Sequence, residues 1–169
     1  MIRLATIADL KGIMNVIESA RQQLKDSGSL QWNLDNGYPD ATTIIDDIVL
    51  NQIYVNEYMV KNLITGCVVM CKDNDPNYEL DNFWGNNDKY VAIHRMAVLK
   101  EYLNTGVASS LLKYCIDNSD TTTIRIDTHK SNESMIRLIN KFKFTYKGVI
   151  TLKEIDEDNL RNAYELIKL

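Results

Sequence analysis

The sequence predicts one domain of mixed α/β (α+β) fold over residues 1–169. The chain is 45% hydrophobic and 25% charged, with only two prolines, which is typical of a globular protein with one core. Helical and strand periodicities alternate along it in the order α-α-β-β-β-α-β-α-β-β. The strand–helix–strand unit over residues 90–128 predicts two parallel strands with a right-handed connection.

Four helices are predicted. The capping box TIAD precedes apolar residues that recur at helical spacing over 10–24. The polar, turn-rich segment 27–40 predicts a long loop that ends at Asp40, the N-cap of a short second helix. The other two helices have apolar faces at Val107, Ala108, Leu111, Leu112 and Cys115, and at Met135, Leu138, Ile139 and Phe142.

Six β-rich runs are predicted to be strands. They cover residues 52–60, 64–71, 90–98, 122–128, 144–153 and 162–168. The short turn KNL between the first two runs predicts an antiparallel hairpin. The connection over residues 72–88 is too long to be a simple turn, and loops of this length are often functional.

Charge and cysteine content argue against several classes of protein. The net charge is −4 without a cluster of basic residues, which disfavours nucleic acid and membrane surfaces as partners. No run reaches the length of a signal peptide or the ~18 apolar residues of a membrane span, so a cytoplasmic location is expected. Three cysteines without a CxxC pair and two histidines offer few ligands, and no metal site is predicted.

The stretch EYLNTGVASSLLKY, residues 101–114, predicts a phosphate-holding turn at the start of a helix. Such a turn directs free backbone N–H groups and the positive end of the helix dipole at one place. Gly106 lets a ligand approach the backbone closely, and Ala108 keeps the first helical turn slim. The turn follows the carboxyl end of a strand, where ligand crevices form in α/β sheets. The alternative is a glycine near a helix start that binds nothing.

Together with IHRMAV, RIDTHKSNESMIRLINKFKF and YKGVI, this stretch resembles the GNAT superfamily of acyl-CoA-dependent N-acyltransferases. The resemblance covers nearly the whole chain, and the opening IRLATIADLKGI is similar to the family's usual first strand and helix. It implies a central, mostly antiparallel sheet with one parallel pair around the cofactor site, flanked by about four helices. The cofactor that it implies is acetyl-CoA.

The family's pyrophosphate turn reads Gln or Arg, two residues of any kind, Gly, any residue, and Gly or Ala. It aligns with residues 103–108, where Leu103 departs from the family pattern. Asn132 matches an asparagine that often contacts the pantetheine arm, or it caps the helix that follows. The cofactor-binding residues that the resemblance implies are Met96, Ala97, Val98, Leu103, Asn104, Thr105, Gly106, Val107, Ala108, Ser109, Asn132 and Met135.

The implied reaction is the attack of an amine on a thioester through a tetrahedral oxyanion. A backbone N–H on the strand at 96–98 would stabilise that oxyanion. The family often supplies a tyrosine acid seven residues after the position of Asn132, but Ile139 stands there. A thiol leaves with a pKa of ~8.5, so its protonation falls to water.

Four residues are candidates for the general base: His94, Asp127, His129 and Glu79. Histidine titrates near neutrality, and His94 lies on the strand that leads into the phosphate turn, which makes it the first choice. The alternatives are structural roles. Either histidine would then be a hydrogen-bonded structural residue, and Asp127 would join Arg95 and Arg125 in a buried ion-pair network.

The acceptor pocket is predicted between the Trp32–Tyr38 loop and the Tyr78–Trp84 loop, with Asp35, Glu79 and Asp81 as acidic groups. Aromatic and acidic side chains suit an amine, including through cation–π contact. The predicted substrate-binding residues are Trp32, Tyr38, Trp84 and Arg95. Alternatively, both tryptophans cover the core beneath long loops.

The function predicted from these residues is an N-acetyltransferase that acts on a primary amine of a small molecule, amino acid or peptide. The alternative is a non-catalytic acyl-CoA sensor, which Ile139 favours because the acid is missing. ATP is disfavoured as the ligand because the turn has no P-loop lysine. A homodimer through pairing of exposed C-terminal strands is also expected.

Overall fold

The computed structural model describes residues 1–32, 37–72, 74–79, 83–84, 89–153 and 158–168. The strands are β1 Ile2–Leu4, β2 Ile53–Tyr58, β3 Leu63–Cys71, β4 Tyr90–Val98, β5 Thr123–Thr128, β6 Thr145–Thr151 and β7 Leu160–Ile167. The helices are α1 Leu10–Asp26, α2 Ala41–Val49, α3 Val107–Asn118 and α4 Glu133–Lys141. The predicted mixed α/β fold with four helices is confirmed.

All seven strands belong to one sheet, in the order β1-β2-β3-β4-β5-β7-β6. β4 and β5 are parallel, with a register that runs from Tyr90↔Thr123 to Ile93↔Ile126. β2 and β3 form the antiparallel hairpin that the sequence predicts. The periodicity pattern missed β1, because a strand of three residues is too short to show an alternation, although the resemblance implied it.

The two C-terminal strands, β6 and β7, differ in whether a backbone edge is free to pair with another strand. β7 lies between β5 and β6, so its backbone is hydrogen-bonded on both sides. β6 alone is the edge of the sheet on that side. The homodimer through edge pairing stays a prediction, and it now concerns β6.

Two compact units make up the chain, and the first comprises Met1–Met70 and Arg95–Asp117. Asp40 caps α2 as predicted, since its carboxylate accepts a hydrogen bond from the backbone N–H of Thr43 at 2.8 Å. The buried core of this unit includes side chains from two helices and two strands. They are Ile13, Val16, Ile17, Val55, Val68, Leu111 and Leu112.

Gly66 of β3 makes room for α3 in this unit. A Cβ atom at Gly66 would lie 2.7 Å from Val107 Cγ1 and 3.0 Å from the carbonyl oxygen of Ala97. We expect Gly66→Ala to lower the free energy of unfolding by about 1–3 kcal/mol, because the added methyl overpacks the contact. Urea unfolding measures the change, and a variant within ~0.5 kcal/mol of the wild type would contradict the packing argument.

The second unit comprises Cys71–His94 and Asn118–Leu169. Its core is a cluster of buried residues: Tyr78, Trp84, Tyr90, Ala92, Ile150 and Ala163. The guanidinium of Arg125 lies between two of the rings, 4.3 Å from the Trp84 centroid and 4.1 Å from the Tyr90 centroid. Arg125 also donates from Nε to Glu165 Oε2 at 3.1 Å, so its charge is balanced inside the unit.

Among the residues described, no helix combines the length and the apolar character that crossing a membrane requires. The same part of the chain contains no group of three or more His, Cys, Asp or Glu side chains arranged to hold a metal ion.

Candidate active site

The predicted phosphate turn connects the end of β4 to α3. A 3-10 turn at Lys100–Tyr102 leads into an exposed segment over 103–106. Gly106 has a φ of +92°, a conformation that residues with a Cβ atom rarely adopt, and its carbonyl accepts from the N–H of Ser110 at 2.9 Å. Gly106 therefore immediately precedes α3, and its carbonyl oxygen accepts a hydrogen bond from the first turn of the helix.

The geometry of this turn fits an anionic group. The N–H groups of Val107 and Ala108 lie in the first turn of α3, where no acceptor four residues earlier belongs to the helix. Among the described residues, apart from its two chain neighbours, no atom lies within 4 Å of the position that a Cβ atom of Gly106 would take, so the approach to the backbone is open there. The side chain of Leu103 is apolar and 43% exposed, so an anion placed at this turn would have to be bound by the backbone and not by that side chain.

The end of β4 is fixed by α1. Gln23 Nε2 donates to the carbonyl oxygen of Val98 at 3.0 Å, and Ser19 Oγ accepts from the N–H of Lys100 at 3.0 Å. The segment 96–98 and the start of the turn are therefore held by two side chains of one helix face. Ala97 and Val98 are buried, and Met96 is half-buried.

Arg95 interrupts the regular path of β4. Its φ is +47°, which is uncommon for a residue with a side chain and is found where the surroundings impose it. Both Nε and Nη2 of Arg95 donate to the buried carboxylate of Asp47 at 2.7 Å. Burial disfavours the charge of Arg95, but the hydrogen bonds and the charge of Asp47 outweigh it, and the pKa of Arg95 lies above its usual value.

Tyr38 is brought to Arg95, and both are predicted substrate-binding residues. Arg95 Nη1 donates to the Tyr38 hydroxyl at 2.8 Å. Arg21 holds the backbone beside it through hydrogen bonds to the carbonyl oxygens of Gly37, Tyr38 and Pro39. The Tyr38 ring is 41% exposed, so it is positioned and still open to a ligand.

The other predicted pocket residues are placed differently. Trp32 is half-buried. Trp84 is only 7% exposed and stacks on Arg125, which corresponds to the alternative in which it covers the core. Asp35 and Asp81 lie outside the described residues. We do not include Trp84 among the residues proposed below to bind substrate.

His94 lies between two carboxylates. Its Nε2 is 3.0 Å from Asp75 Oδ2, and its Nδ1 is 4.0 Å from Asp127 Oδ2. The Tyr78 hydroxyl donates to the same oxygen of Asp127 at 2.7 Å. The side chain of His94 is 20% exposed, so the cluster of His94, Asp75, Asp127 and Tyr78 reaches the surface through the imidazole.

The acidic groups of this cluster have shifted pKa values. Burial alone would raise the pKa of Asp75, but hydrogen bonds from His94 and from the N–H of Asn77 outweigh it and lower the pKa. Burial raises the pKa of Asp127, against the attraction of His94 and the hydrogen bond of Tyr78. The pKa of Tyr78 is well above its usual value because of burial and the charge of Asp127, so its hydroxyl stays protonated.

His129 and Glu79 are the remaining predicted bases. Both ring nitrogens of His129 are engaged, Nδ1 with Ser131 Oγ at 2.6 Å and Nε2 with Asp158 Oδ1 at 2.8 Å. Glu79 is exposed, and within the described parts of the chain no hydrogen bond or ion pair joins it to His94. We leave both residues outside the proposed catalytic set.

Asn132 is the N-cap of α4. Its Oδ1 accepts a hydrogen bond from the N–H of Met135 at 3.2 Å. The side-chain oxygen of Asn132 therefore caps the helix, as the alternative interpretation expected. The contact with pantetheine stays a prediction. Ile139, at the position of the family's tyrosine, is fully buried.

Asp75, Tyr78 and Asp47 contribute to these arrangements and were not among the predicted site residues. Asp75 and Tyr78 belong to a long connection whose sequence shows no periodicity. Asp47 could have been found from the sequence, because it follows Ile44 by three residues and therefore lies on the apolar face of α2. An acid on such a face needs a partner, and Arg95 is that partner.

Comparison with known proteins gives a consistent result. The model of the Acetyltransferase (GNAT) family matches residues 21–144. The solved structure of a GNAT-family acetyltransferase from Streptococcus agalactiae is 28% identical with a TM-score of 0.90, over 100% of this chain and 95% of that chain. The comparison with curated proteins finds no match.

Two further solved structures are similar in fold. A GNAT-family acetyltransferase from Listeria monocytogenes is 19% identical with a TM-score of 0.73, over 99% of this chain and 94% of that chain. One from Bacillus cereus is 23% identical with a TM-score of 0.65, over 100% of this chain and 97% of that chain. The fold that carries the turn, the interrupted strand and the histidine cluster is therefore also the fold of these acetyltransferases.

Proposed function

Because the family model matches most of its length, the chain belongs to the GNAT acetyltransferase family, and we propose that it transfers an acetyl group from acetyl-CoA to a primary amine. The acceptor is a small molecule, an amino acid or a peptide. The amine attacks the thioester directly, in a ternary complex of enzyme, cofactor and acceptor. Acetyl-CoA supplies the activated acetyl group, and the residues of the chain bind, orient and move protons.

The turn over 103–108 is the observation that carries this proposal. Its exposed backbone, the positive φ of Gly106 and the N–H groups at the start of α3 suit the pyrophosphate of coenzyme A. The amides of Met96, Ala97 and Val98 would bind the pantetheine arm and polarise the thioester carbonyl. Ser109, Asn132 and Met135 complete the set of residues proposed to bind the cofactor.

His94 is proposed to take the proton that the ammonium form of the amine must lose before it attacks. Imidazole accepts protons near neutrality, and His94 precedes the proposed thioester-binding segment of β4 by two residues. Asp127 supports it as a charged neighbour. Tyr38, Trp32 and Arg95 are proposed to contact the acceptor, with Arg95 neutralised by Asp47.

The leaving thiolate has no tyrosine at the usual position. Ile139 is fully buried there, and Tyr146, although 54% exposed, has no contact that directs it to a sulfur atom among the residues described. Water is therefore proposed to protonate the thiolate, which is the least demanding proton transfer of the reaction. The same observation favours the second candidate, an acyl-CoA sensor that binds the cofactor without turnover.

Thermal unfolding with acetyl-CoA, CoA and ATP tests the cofactor. We expect acetyl-CoA and CoA at ~100 times their dissociation constant to add about 2.7 kcal/mol of stability, and ATP to add none. Gly106→Ala strains the turn by ~1–2 kcal/mol and should weaken CoA binding by about tenfold. Gly28→Ala is the matched control, because Gly28 also has a positive φ with nothing near its Cβ position.

The outcomes separate the candidates. Gly28→Ala should lower the midpoint without changing the shift that CoA produces. If neither CoA species stabilises the protein at millimolar concentration, the proposed function is wrong. If both stabilise it but no amine in a mixed library releases free CoA, the sensor is the correct function. The predicted cytoplasmic location is not tested by these measurements.

A further inference from the structure

We infer that Asp75 is a positioning residue for His94, which it holds in the tautomer with the proton on Nε2 so that Nδ1 is the nitrogen that accepts a proton from the amine. This inference rests on the proposed function. It adds a residue from the connection between β3 and β4 and assigns the two nitrogens of His94 different tasks.

Asp75 is itself held in place by its neighbours. Its Oδ1 accepts a hydrogen bond from the N–H of Asn77 at 2.8 Å, and its own N–H donates to the Tyr90 hydroxyl at 2.7 Å. Its carbonyl oxygen accepts from the N–H of Tyr78 at 2.9 Å. The carboxylate therefore presents Oδ2 to His94 in a fixed direction.

The 3.0 Å separation between Asp75 Oδ2 and His94 Nε2 determines the tautomer. The lowered pKa of Asp75 means that its carboxyl is ionised at neutral pH and can only accept. The group that donates must then be Nε2–H. A neutral imidazole carries one proton, so Nδ1 keeps its lone pair.

Within the described parts of the chain, no hydrogen bond occupies the lone pair of Nδ1. Asp127 Oδ2 is 4.0 Å away, which is too long for a hydrogen bond but close enough for charge attraction. That oxygen already accepts from the Tyr78 hydroxyl. The charge of Arg161 also attracts Asp127. Among the described residues, the charged groups that face the imidazole are Asp75 and Asp127. The Tyr78 ring also lies beside the imidazole, with a centroid separation of 6.1 Å, and Arg161 acts through Asp127.

The proton moves from the substrate nitrogen to Nδ1 of His94. An N–H bond of the substrate ammonium breaks, its electron pair stays on the substrate nitrogen, and a new N–H bond forms at Nδ1. His94 becomes an imidazolium whose charge lies between the carboxylates of Asp75 and Asp127. The neutral amine then has the lone pair that it needs to attack a carbonyl carbon.

The tautomer is read directly from the nitrogen chemical shifts of ¹⁵N-histidine-labelled wild-type protein at alkaline pH, where imidazole is neutral. We expect a protonated Nε2 and an unprotonated Nδ1 for the signal that disappears in His94→Gln. Protonation on Nδ1 in the wild type would overturn the inference. This measurement needs no catalytic activity, and it does not depend on whether an Asp75 variant folds.

Asp75→Asn provides the kinetic test. Because a neutral amide stabilises an imidazolium much less than a carboxylate does, we expect kcat/KM to fall on the order of 10²-fold and the acidic limb of its pH profile to move down by about one pH unit. Asp117→Asn makes the same charge change at the exposed pair with Lys113 and should leave both unchanged. An Asp75→Asn enzyme with the profile of the wild type would overturn the inference.

These results distinguish the inference from the function on which it rests. If the wild type acetylates no amine, the proposed function fails, and the nitrogen spectrum still decides whether Asp75 sets the tautomer. If the wild type is active and Asp75→Asn is equally active with an unmoved pH profile, only the inference fails.

Discussion

Replacing Arg125 by methionine is expected to lower the free energy of unfolding by about 3–5 kcal/mol. The variant leaves Glu165, which is 3% exposed, without the guanidinium that donates to it at 3.1 Å. Lys147 is the other cation near Glu165, at 3.5 Å, but its side chain is more exposed. The methionine side chain also cannot make the cation–π contacts of the guanidinium with the Trp84 and Tyr90 rings. Chemical denaturation of the two proteins measures the difference.

A double substitution and a surface control make this prediction specific. Removing one partner of a buried pair is costly because the other charge is stranded, whereas replacing both by apolar residues often costs little. Arg125→Met with Glu165→Met should therefore be more stable than Arg125→Met alone. Arg137→Met breaks an exposed pair with Glu133 and should change stability by less than ~0.5 kcal/mol. Equal effects at the two arginines would show that burial does not set the cost.

The sequence predicted the strands and helices well because burial imposes a periodicity on them. The run predicted at 90–98 is β4 over the same residues, and the run predicted at 122–128 is β5 with one residue fewer. Alternation at Ile124 and Ile126 records the packing of both residues in the core. The hydrophobic pattern did not predict β1, because a strand of three residues is too short to show a periodicity.

The candidate site was predictable where backbone geometry depends on residue type. Gly106 marks the predicted phosphate turn because a φ of +92° is open to glycine and strained for other residues. Contacts between residues distant in sequence left no comparable pattern. His94 lies on β4 and Asp127 on the neighbouring strand β5, so a contact between them could be predicted from the sequence. Asp75 contacts His94 from a connection that shows no periodicity. Such a contact depends on the path of the loop, and the hydrophobic periodicity of a sequence does not determine that path.

The two histidines illustrate the same limit. Sequence alone put His94 before His129 only because of its place on the strand that leads into the predicted phosphate turn, since residue type does not determine what surrounds an imidazole. In the structure both nitrogens of His129 are hydrogen-bonded to Ser131 and Asp158. Among the described residues, His94 has a hydrogen-bond partner at Nε2 and a carboxylate 4.0 Å from Nδ1. The difference lies in neighbours that come from other parts of the chain.

His94→Gln is expected to lower kcat/KM by two to four orders of magnitude for the best amine found in a mixed library, because glutamine can still donate to Asp75 but cannot accept a proton. The shift of the unfolding midpoint with CoA should stay that of the wild type, since no cofactor-binding residue changes. Free thiol release over a range of pH measures the loss. The matched control is His129→Gln, which removes a buried, fully hydrogen-bonded ring and should reduce stability with little effect on turnover. A His94→Gln enzyme within about threefold of the wild type would show that water or another group takes the proton, and the base would have to be sought elsewhere.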